Sequence, residues 1–228
     1  MAESENIVWV NDEDDMFTKA KLLPTAGRHV TTRDIFNDKV VDGLVNVFIL
    51  RSASVIQFTL DKVHEYDESH ESKSADVSVV TNLHPASLLH IIKSRFQSSL
   101  PYTRVFSGVI SVNLYESSAD ILNDIQAYES LPDLEKRGHI FSVARAAVDR
   151  VNIYNQSIIL LGESGAGKTH VFTNLIPYIC SGSVREKASA AAQVLAAFGN
   201  CQTRLNSDSS RYTRYMRVRY KVIMPLSL

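Results

Sequence analysis

The residues with the clearest chemical potential lie in one stretch, 162–169. Gly162, Gly167, Lys168 and Thr169 fit the pattern G-x-x-x-x-G-K-[ST] at every fixed position. Glycines permit backbone angles that turn successive amide groups inward around an anion. The lysine can reach the β- and γ-phosphates of a nucleotide, and the threonine hydroxyl can ligate Mg²⁺. The pattern predicts a loop that binds a nucleoside triphosphate with Mg²⁺, its other members being Glu163, Ser164, Gly165 and Ala166.

The residues on either side of this loop supply the context that the motif requires. Residues 157–161 are a short apolar run with two β-branched side chains, which predicts a buried strand. Residues 169–180 can begin a helix, whose first turn offers unsatisfied N–H groups and a partial positive charge to an anion. The alternative is an ordinary glycine-rich turn between a strand and a helix. The Lys-Thr pair and the preceding strand favour nucleotide binding.

Composition sets limits on the class of protein. The chain has 228 residues, of which 45% are hydrophobic and 21% charged, as in an ordinary globular protein. A net charge of −1 creates no overall field that would favour nucleic acid. The two cysteines, Cys180 and Cys201, have neither the density of a disulfide framework nor the spacing of metal ligands. No apolar run approaches the roughly 18–20 residues of a membrane span, and we expect a cytoplasmic protein.

The first part of the chain, residues 7–64, reads as short strands and predicts a small barrel or sandwich. A turn is predicted at Asp42 and Gly43. The following residues, 65–76, are polar and acidic and predict a linker. The individual strands are predicted at 7–10, 45–50 and 55–60.

The second part of the chain mixes helices and strands. A helix beginning near Pro85 would bury one face that carries Leu88, Leu89, Ile92 and Phe96. Residues 102–106 and 109–113 predict a hairpin. The alternation of residues 212–224 predicts a strand. Further helices are predicted at 120–128, 140–154 and 183–198, the last one tightly packed through its alanines.

On these residues, the chain resembles the N-terminal part of a myosin motor head. Asn155 to Ile158 stand before the phosphate loop as in that family, and 197–200 and Thr203 follow in family order. Residues 206–211 resemble the family's first switch loop, Asn-x-Asn-Ser-Ser-Arg. Val8-Trp9-Val10 resembles the start of the Src-homology-like barrel found on many myosin heads. The resemblance covers nearly the whole chain from about residue 7.

The resemblance implies an α/β fold, with a P-loop NTPase-like partial sheet and flanking helices preceded by a small all-β barrel. The implied domains are a barrel at 1–65, a linker at 66–80 and a partial motor domain at 81–228. It also implies ATP and Mg²⁺ as cofactors, a cytoskeletal location, and actin filaments as the partner of the complete motor. No nucleic acid and no membrane span are expected.

The resemblance also implies roles for single residues. Lys168 and Thr169 would hold the phosphates and Mg²⁺. Ser209 and Ser210 would close over the γ-phosphate, where a hydroxyl can ligate the metal or orient the attacking water. Arg211 would pair with a glutamate of the second switch loop. The implied metal ligands are Thr169 and Ser210, and the implied catalytic residues are Ser209, Ser210 and Arg211. The implied cofactor-binding residues include, besides the loop, Asn113 at the adenine-side loop and Asn206.

The sequence also departs from the family pattern. Asp208 replaces an asparagine of the first switch, which places a carboxylate near phosphates. Thr213-Arg214 stands for Gly-Lys, and Glu116 reverses a charge at the adenine loop. No Asp-x-x-Gly-Phe-Glu second switch occurs in the 228 residues. We therefore expect a motor head truncated before that switch, whose hydrolysis requires downstream elements and whose strand at 157–161 lacks neighbours on both edges.

Three functions remain open on the sequence. The first is the ATP-binding portion of a myosin-like motor, an ATPase only within a complete motor domain. The second is a degenerate, non-motor nucleotide-binding module, or a truncated product without ATPase activity. The third is an unrelated nucleoside or protein kinase, which would make the spacing of residues 206–211 a coincidence. Binding of Mg-ATP, and its loss in Lys168→Ala, discriminates the first two.

Overall fold

The computed structural model describes residues 6–24, 44–71, 76–115, 121–204 and 206–220. It divides into two compact units, Met1–Ser98 and Ser99–Leu228. The turn predicted at Asp42 and Gly43 lies outside the described residues. Within the described part of the chain, no helix has the length and apolarity needed to cross a membrane.

The first unit is built on a five-stranded antiparallel sheet in the order β4-β3-β2-β1-β5. Consecutive strands from β1 to β4 pair directly, and β5 returns to pair with β1, all in antiparallel fashion. In the described residues β4 and β5 are the two edge strands and do not pair with each other. The predicted small barrel or sandwich is therefore observed as an open sheet. The strands are β1 Ile7–Asp12, β2 Met16–Leu22, β3 Leu44–Ile49, β4 Ser54–Thr59 and β5 Val63–Glu65.

Alternating side chains give this sheet one buried face. Val8 and Val10 of β1 are fully buried, and the buried positions of β2 and β3 meet them on the same side. The strands predicted at 7–10, 45–50 and 55–60 are therefore confirmed, whereas β2 and β5 have no counterpart among the predicted runs. The buried cluster consists of Val8, Val10, Ala20, Leu22, Val45, Val47, Ile49 and Val63.

The acidic segment after this sheet is folded onto the unit. It contains two short 3₁₀ helices, Glu68–Glu71 and Val77–Val79. His70, in the first of them, is completely buried, and its Nδ1 accepts a hydrogen bond from the Trp9 indole N–H at 3.2 Å. A buried aromatic N–H requires such an acceptor. The domain limits at residues 65 and 80 stay a prediction.

Helix α1, Pro85–Gln97, confirms the predicted helix but not the predicted buried face. His84 and Ser87 form a reciprocal capping box at its start. The buried residues are Ala86, Ser87, Ile91 and Arg95, whereas Phe96 is 45% exposed. The prediction was wrong because the unit buries the face defined by Ser87 and the residues four and eight positions later, and apolar spacing alone does not select between adjacent faces.

Among its described residues, the second unit contains a hairpin, five helices and one short strand pair. The predicted hairpin is confirmed as β6 and β7, and the helices predicted near 120, 140, 169 and 183 are all present. The elements are β6 Tyr102–Val105, β7 Gly108–Ser111, α2 Ile121–Ser130, α3 Asp133–Gly138, α4 Ile140–Arg150, α5 Lys168–Ile179, α6 Gly182–Gly199, β8 Asn200–Cys201 and β9 Ser209–Ser210.

The core of this unit forms where α4 and α5 pack together. Phe141 and Ala144 of α4 are buried against Val171 and Leu175 of α5. The stacked rings of Phe141 and Tyr178 have centroids 4.7 Å apart and lie 5° from parallel. This packing fixes the beginning of α5, and therefore the end of the phosphate loop, against a rigid layer.

The predicted buried strand at 157–161 is wrong. Within the described residues this segment pairs with no strand, and Ile159 and Leu161 are 74% and 87% exposed. Ile158 and Leu160 still pack against the core cluster, so the side chains alternate as they do in a strand. The segment has the alternation of a strand without the neighbours that would cover its second face.

Two further predictions for the C-terminal part are corrected. Residues 212–219 alternate between half-buried and exposed as predicted, but residues 212–220 form no ladder with any described strand, and 221–224 lie outside the described residues. Helix α6 is not tightly packed: Ala192 is its one buried residue among those described, and Phe198 is 90% exposed. Both segments lack a covering layer on one side.

Candidate functional site: a phosphate-type loop closed by a serine flap

The loop at 162–169 adopts a backbone that its glycines make possible. Gly162, Gly165 and Gly167 have φ values of 150°, 85° and 90°, in the region that other residues rarely enter. The Ala166 amide donates to the Glu163 carbonyl at 3.2 Å and closes the turn. Gly167 is the N-cap of α5, and no side chain caps that helix. The first-turn amides of α5 are therefore left for an anion.

Lys168 is folded onto this loop. Its ammonium donates to the Gly162 carbonyl at 2.7 Å and to the Glu163 carbonyl at 2.6 Å. The charge therefore lies against the loop backbone and adds to the positive end of the α5 dipole. The Glu163 side chain is exposed, whereas its backbone carbonyl accepts from the Lys168 ammonium and the Ala166 amide.

Asn113 holds the loop from the side of β7. Its Nδ2 donates to the Gly165 carbonyl at 3.0 Å, while its Oδ1 accepts from the Tyr115 amide at 2.9 Å. A Cβ placed on Gly167 would approach the Asn113 Cβ to 3.3 Å, which leaves little room for any side chain there. Asn113 was predicted at an adenine-side loop. In the structure its Nδ2 holds the loop 162–169, while its Oδ1 fixes the local turn at Tyr115.

Residues 206–211, here called the flap, lie against the same loop. Two hydroxyl pairs join them: Ser164 Oγ and Ser209 Oγ are 3.2 Å apart, and Thr169 Oγ1 and Ser210 Oγ are 3.0 Å apart. Ser209 is only 1% exposed. Residues separated by about 40 positions in the chain thus form one hydroxyl-lined cluster.

The flap is fixed to the end of α6. Strand β9, within the flap, pairs with β8, and the Arg211 amide donates to the Gly199 carbonyl at 3.0 Å. The Asp208 carboxylate accepts from the Asn200 side-chain amide at 2.8 Å. The carboxylate expected to lie unfavourably near the phosphates is therefore engaged by a neutral donor.

The remaining two flap residues of the predicted site differ in their contacts. Asn206 hydrogen-bonds within its own loop, its Oδ1 accepting from the Asp208 amide at 3.0 Å. Arg211 is exposed, and its Nη1 lies 3.4 Å from Ser209 Oγ. Asn206 thus shapes the flap, while the Arg211 guanidinium remains largely open to solvent.

The structure brings together Asn113, the loop 162–169 and the flap. The site prediction did not include Gly199 and Asn200, which hold the flap through a carbonyl and a side-chain amide. Residues 197–200 contributed to the resemblance, but their types carry no phosphate chemistry. A glycine that closes a helix is usually explained as a cap, so this sequence signal did not point to the flap.

The arrangement suits a magnesium-bound polyphosphate. The loop amides, the uncapped start of α5 and the Lys168 ammonium can donate hydrogen bonds to an anion. The paired hydroxyls of Thr169 and Ser210 can serve as hard oxygen ligands for a cation. Among the described residues, no group of three or more His, Cys, Asp or Glu side chains could hold a metal ion. A cation held by the hydroxyls of Thr169 and Ser210 would complete its coordination with phosphate oxygens and water, as is usual for Mg²⁺.

Comparisons with known proteins point to one family. The family model described as "Myosin head (motor domain)" matches residues 74–227. The chain is 27% identical over 231 residues to "Myosin heavy chain 95F" of Drosophila melanogaster, with 96% of the chain and 17% of the relative covered. It is 25% identical over 237 residues to "Myosin-M heavy chain" of Dictyostelium discoideum, with 95% and 13% covered. The chain thus spans less than a fifth of the length of these relatives.

Proposed function

This chain belongs to the myosin head (motor domain) family, and we propose that residues 162–169 and the flap form the Mg-ATP site of a myosin-like, actin-based motor. In this proposal the chain supplies the phosphate loop and the first switch of that motor. Binding to actin filaments and a cytoplasmic, cytoskeletal location are parts of the same proposal and concern the complete motor.

The observation that carries the proposal is the double hydroxyl contact between the loop and the flap. Ser164 meets Ser209 and Thr169 meets Ser210 at hydrogen-bonding distance. A glycine-rich turn that binds no ligand does not need a separate segment such as the flap to pack against it. A nucleotide site that must surround a γ-phosphate on several sides does require one.

Each residue has a role that its position supports. The amides of the loop and the first turn of α5 would bind the β- and γ-phosphates, with Lys168 moving from the loop carbonyls to the phosphate oxygens. Thr169 and Ser210 would hold Mg²⁺, which neutralises the phosphate charge when bound. Ser209 would lie over the γ-phosphate. Asn113 keeps the loop in its binding shape through the Gly165 carbonyl.

The direct test is nucleotide affinity measured by calorimetry with Mg-ATP on the full chain. Lys168→Ala removes the ammonium, and because a hydrogen bond to a charged group contributes about 1.5–3 kcal/mol, we expect affinity to fall about 10- to 100-fold. Lys187→Ala is the matched control, since Lys187 is exposed on α6. A wild-type chain without measurable Mg-ATP binding would refute the proposal and leave the degenerate, non-motor module as the better description.

A further inference from the structure

A guanidinium edge that is buried without a hydrogen-bond partner in the described part of the chain lies in the residues that follow the flap. Arg214 is half-buried, and its Nε and Nη2 atoms are inaccessible to solvent with no hydrogen-bond partner among the described residues. The hydroxyl of Tyr212, on the same side of the chain, is buried and unpaired in the same way. Buried polar groups in native proteins almost always have partners, so two orphans on one face are unusual.

The surroundings of Arg214 are aromatic. Its guanidinium carbon lies 5.2 Å from the centroid of the Tyr212 ring and 5.8 Å from that of Phe172 on α5. Aromatic faces attract a cation, but they do not replace the oxygen acceptors that its N–H groups require. The rings therefore orient the guanidinium plane and leave its hydrogen-bonding edge unsatisfied.

The two unpaired nitrogens define the chemistry of the missing partner. The N–H bonds of Nε and Nη2 point in parallel from one edge of the guanidinium, which is the fork that a carboxylate occupies with both oxygens. We propose that Arg214, oriented by Tyr212 and Phe172, is the receptor for an aspartate or glutamate carboxylate on a polypeptide segment that packs over residues 212–218. The inference does not depend on nucleotide binding.

A polypeptide segment fits this face better than a free ion. The half-buried side continues from Arg214 to Met216 and Val218, so a covering element would bury apolar surface as well as charge. Residues 212–220 pair with no described strand, which leaves their backbone groups available to such a segment. No hydrogen bond among the described residues holds the Nε and Nη2 atoms of Arg214, so an incoming carboxylate displaces no existing polar partner.

The test uses thermal unfolding of the full chain in sodium acetate, as the carboxylate probe, and in sodium chloride at equal ionic strength. Without a carboxylate, Arg214→Met should be more stable than wild type by about 2–4 °C, because it removes an unpaired buried charge. Acetate should raise the melting temperature of wild type above its value in chloride, and should raise that of Arg214→Met or Arg214→Lys much less. Arg219→Met, at an exposed position of the same segment, is the control and should behave as wild type.

Several results would overturn the proposal. Arg214→Met being less stable than wild type in chloride, with an undiminished acetate effect, would assign Arg214 to packing alone. If Arg214→Met does not fold, an equal acetate effect on the melting temperatures of wild type and Arg214→Lys would likewise assign Arg214 to packing alone. A separate arm uses inorganic phosphate in a Lys168→Ala background, which disables the phosphate loop. Stabilisation there by phosphate but not by acetate, dependent on Arg214, would replace the carboxylate with a phosphate ligand.

Discussion

The hydroxyl oxygens of Thr169 and Ser210 lie 3.0 Å apart and share a hydrogen bond. One belongs to the first turn of α5 and the other to the flap, 41 positions later in the chain. Two neutral hydroxyls at this distance can satisfy each other without a ligand, and both can turn their oxygens to a divalent cation. The two hydroxyls that we propose as Mg²⁺ ligands are therefore already in contact before a cation would enter.

Ser210→Ala is expected to weaken the contribution of Mg²⁺ to nucleotide binding. The change removes one of the two proposed cation ligands and leaves the loop amides and Lys168 intact. Because one neutral hydrogen-bonding or ligating group contributes about 1 kcal/mol, we expect about a five-fold loss of ATP affinity in Mg²⁺. Calorimetry in Mg²⁺ and in EDTA measures it. The exposed Ser207 supplies the control Ser207→Ala, and an equal loss with and without Mg²⁺ would contradict a ligating role.

Asn113→Ala is expected to weaken ATP and GTP binding by the same factor, about five- to ten-fold. The reason is that the Asn113 amide holds the Gly165 carbonyl at 3.0 Å, and its loss frees the loop whichever base is attached. Competition between the two nucleotides for a fluorescent analogue measures both affinities. If Asn113 instead reads the base, the ratio of ATP to GTP affinity would change.

Gly199→Ala is expected to displace the flap. A Cβ at this position would lie 2.3 Å from Cε1 of the Tyr212 ring, so the ring or the end of α6 must move. Forced overpacking of this kind costs about 1–3 kcal/mol of unfolding free energy. Urea unfolding measures that loss, and nucleotide affinity should fall with it. Gly108→Ala is the matched control, because the nearest atom to its added Cβ is 3.8 Å away; equal stability losses would argue against the steric explanation.

The stability of the first unit is expected to fall as the pH is lowered from 7.5 to 5. His64 and His84 stack with ring centroids 5.0 Å apart, and burial lowers the pKa of each imidazole below its usual value. The unfolded chain then binds more protons between the folded pKa values and about 6.5, so stability decreases as pH falls through that window. Above it both states are neutral and the effect vanishes.

Thermal unfolding at several pH values measures this dependence. His64→Phe keeps an aromatic ring in the stack and removes one titrating imidazole. The melting temperature of this variant should therefore vary less with pH than that of wild type. The exposed His170 in the second unit supplies the control His170→Phe. A hydrogen bond from Lys93 holds the pKa of the Asp15 carboxyl below its usual value, so this carboxyl stays ionised throughout the window. An unchanged slope in His64→Phe would exclude the stacked imidazoles as the cause.

The sequence by itself determined the local features of this protein. The three loop glycines with positive φ, the helix that begins at Lys168 and the hairpin around Gly108 depend on preferences within a few residues, and each was predicted at its observed place. The sequence also indicated the family, because the loop 162–169 and its spacing to residues 206–211 resemble a myosin head. Backbone angles and turn chemistry are properties of the residue itself.

Only the tertiary structure decided which surfaces are covered and which distant groups meet. The side chain of Asn113 could have faced a base, yet it binds Gly165, a residue 52 positions away. Helix α1 buries Ser87 and Arg95 instead of Phe96, and the apolar segment 157–161 exposes one of its faces. Periodicity shows that a face exists, but burial depends on whether another element lies against it, and such contacts join residues whose separation along the chain no local preference encodes.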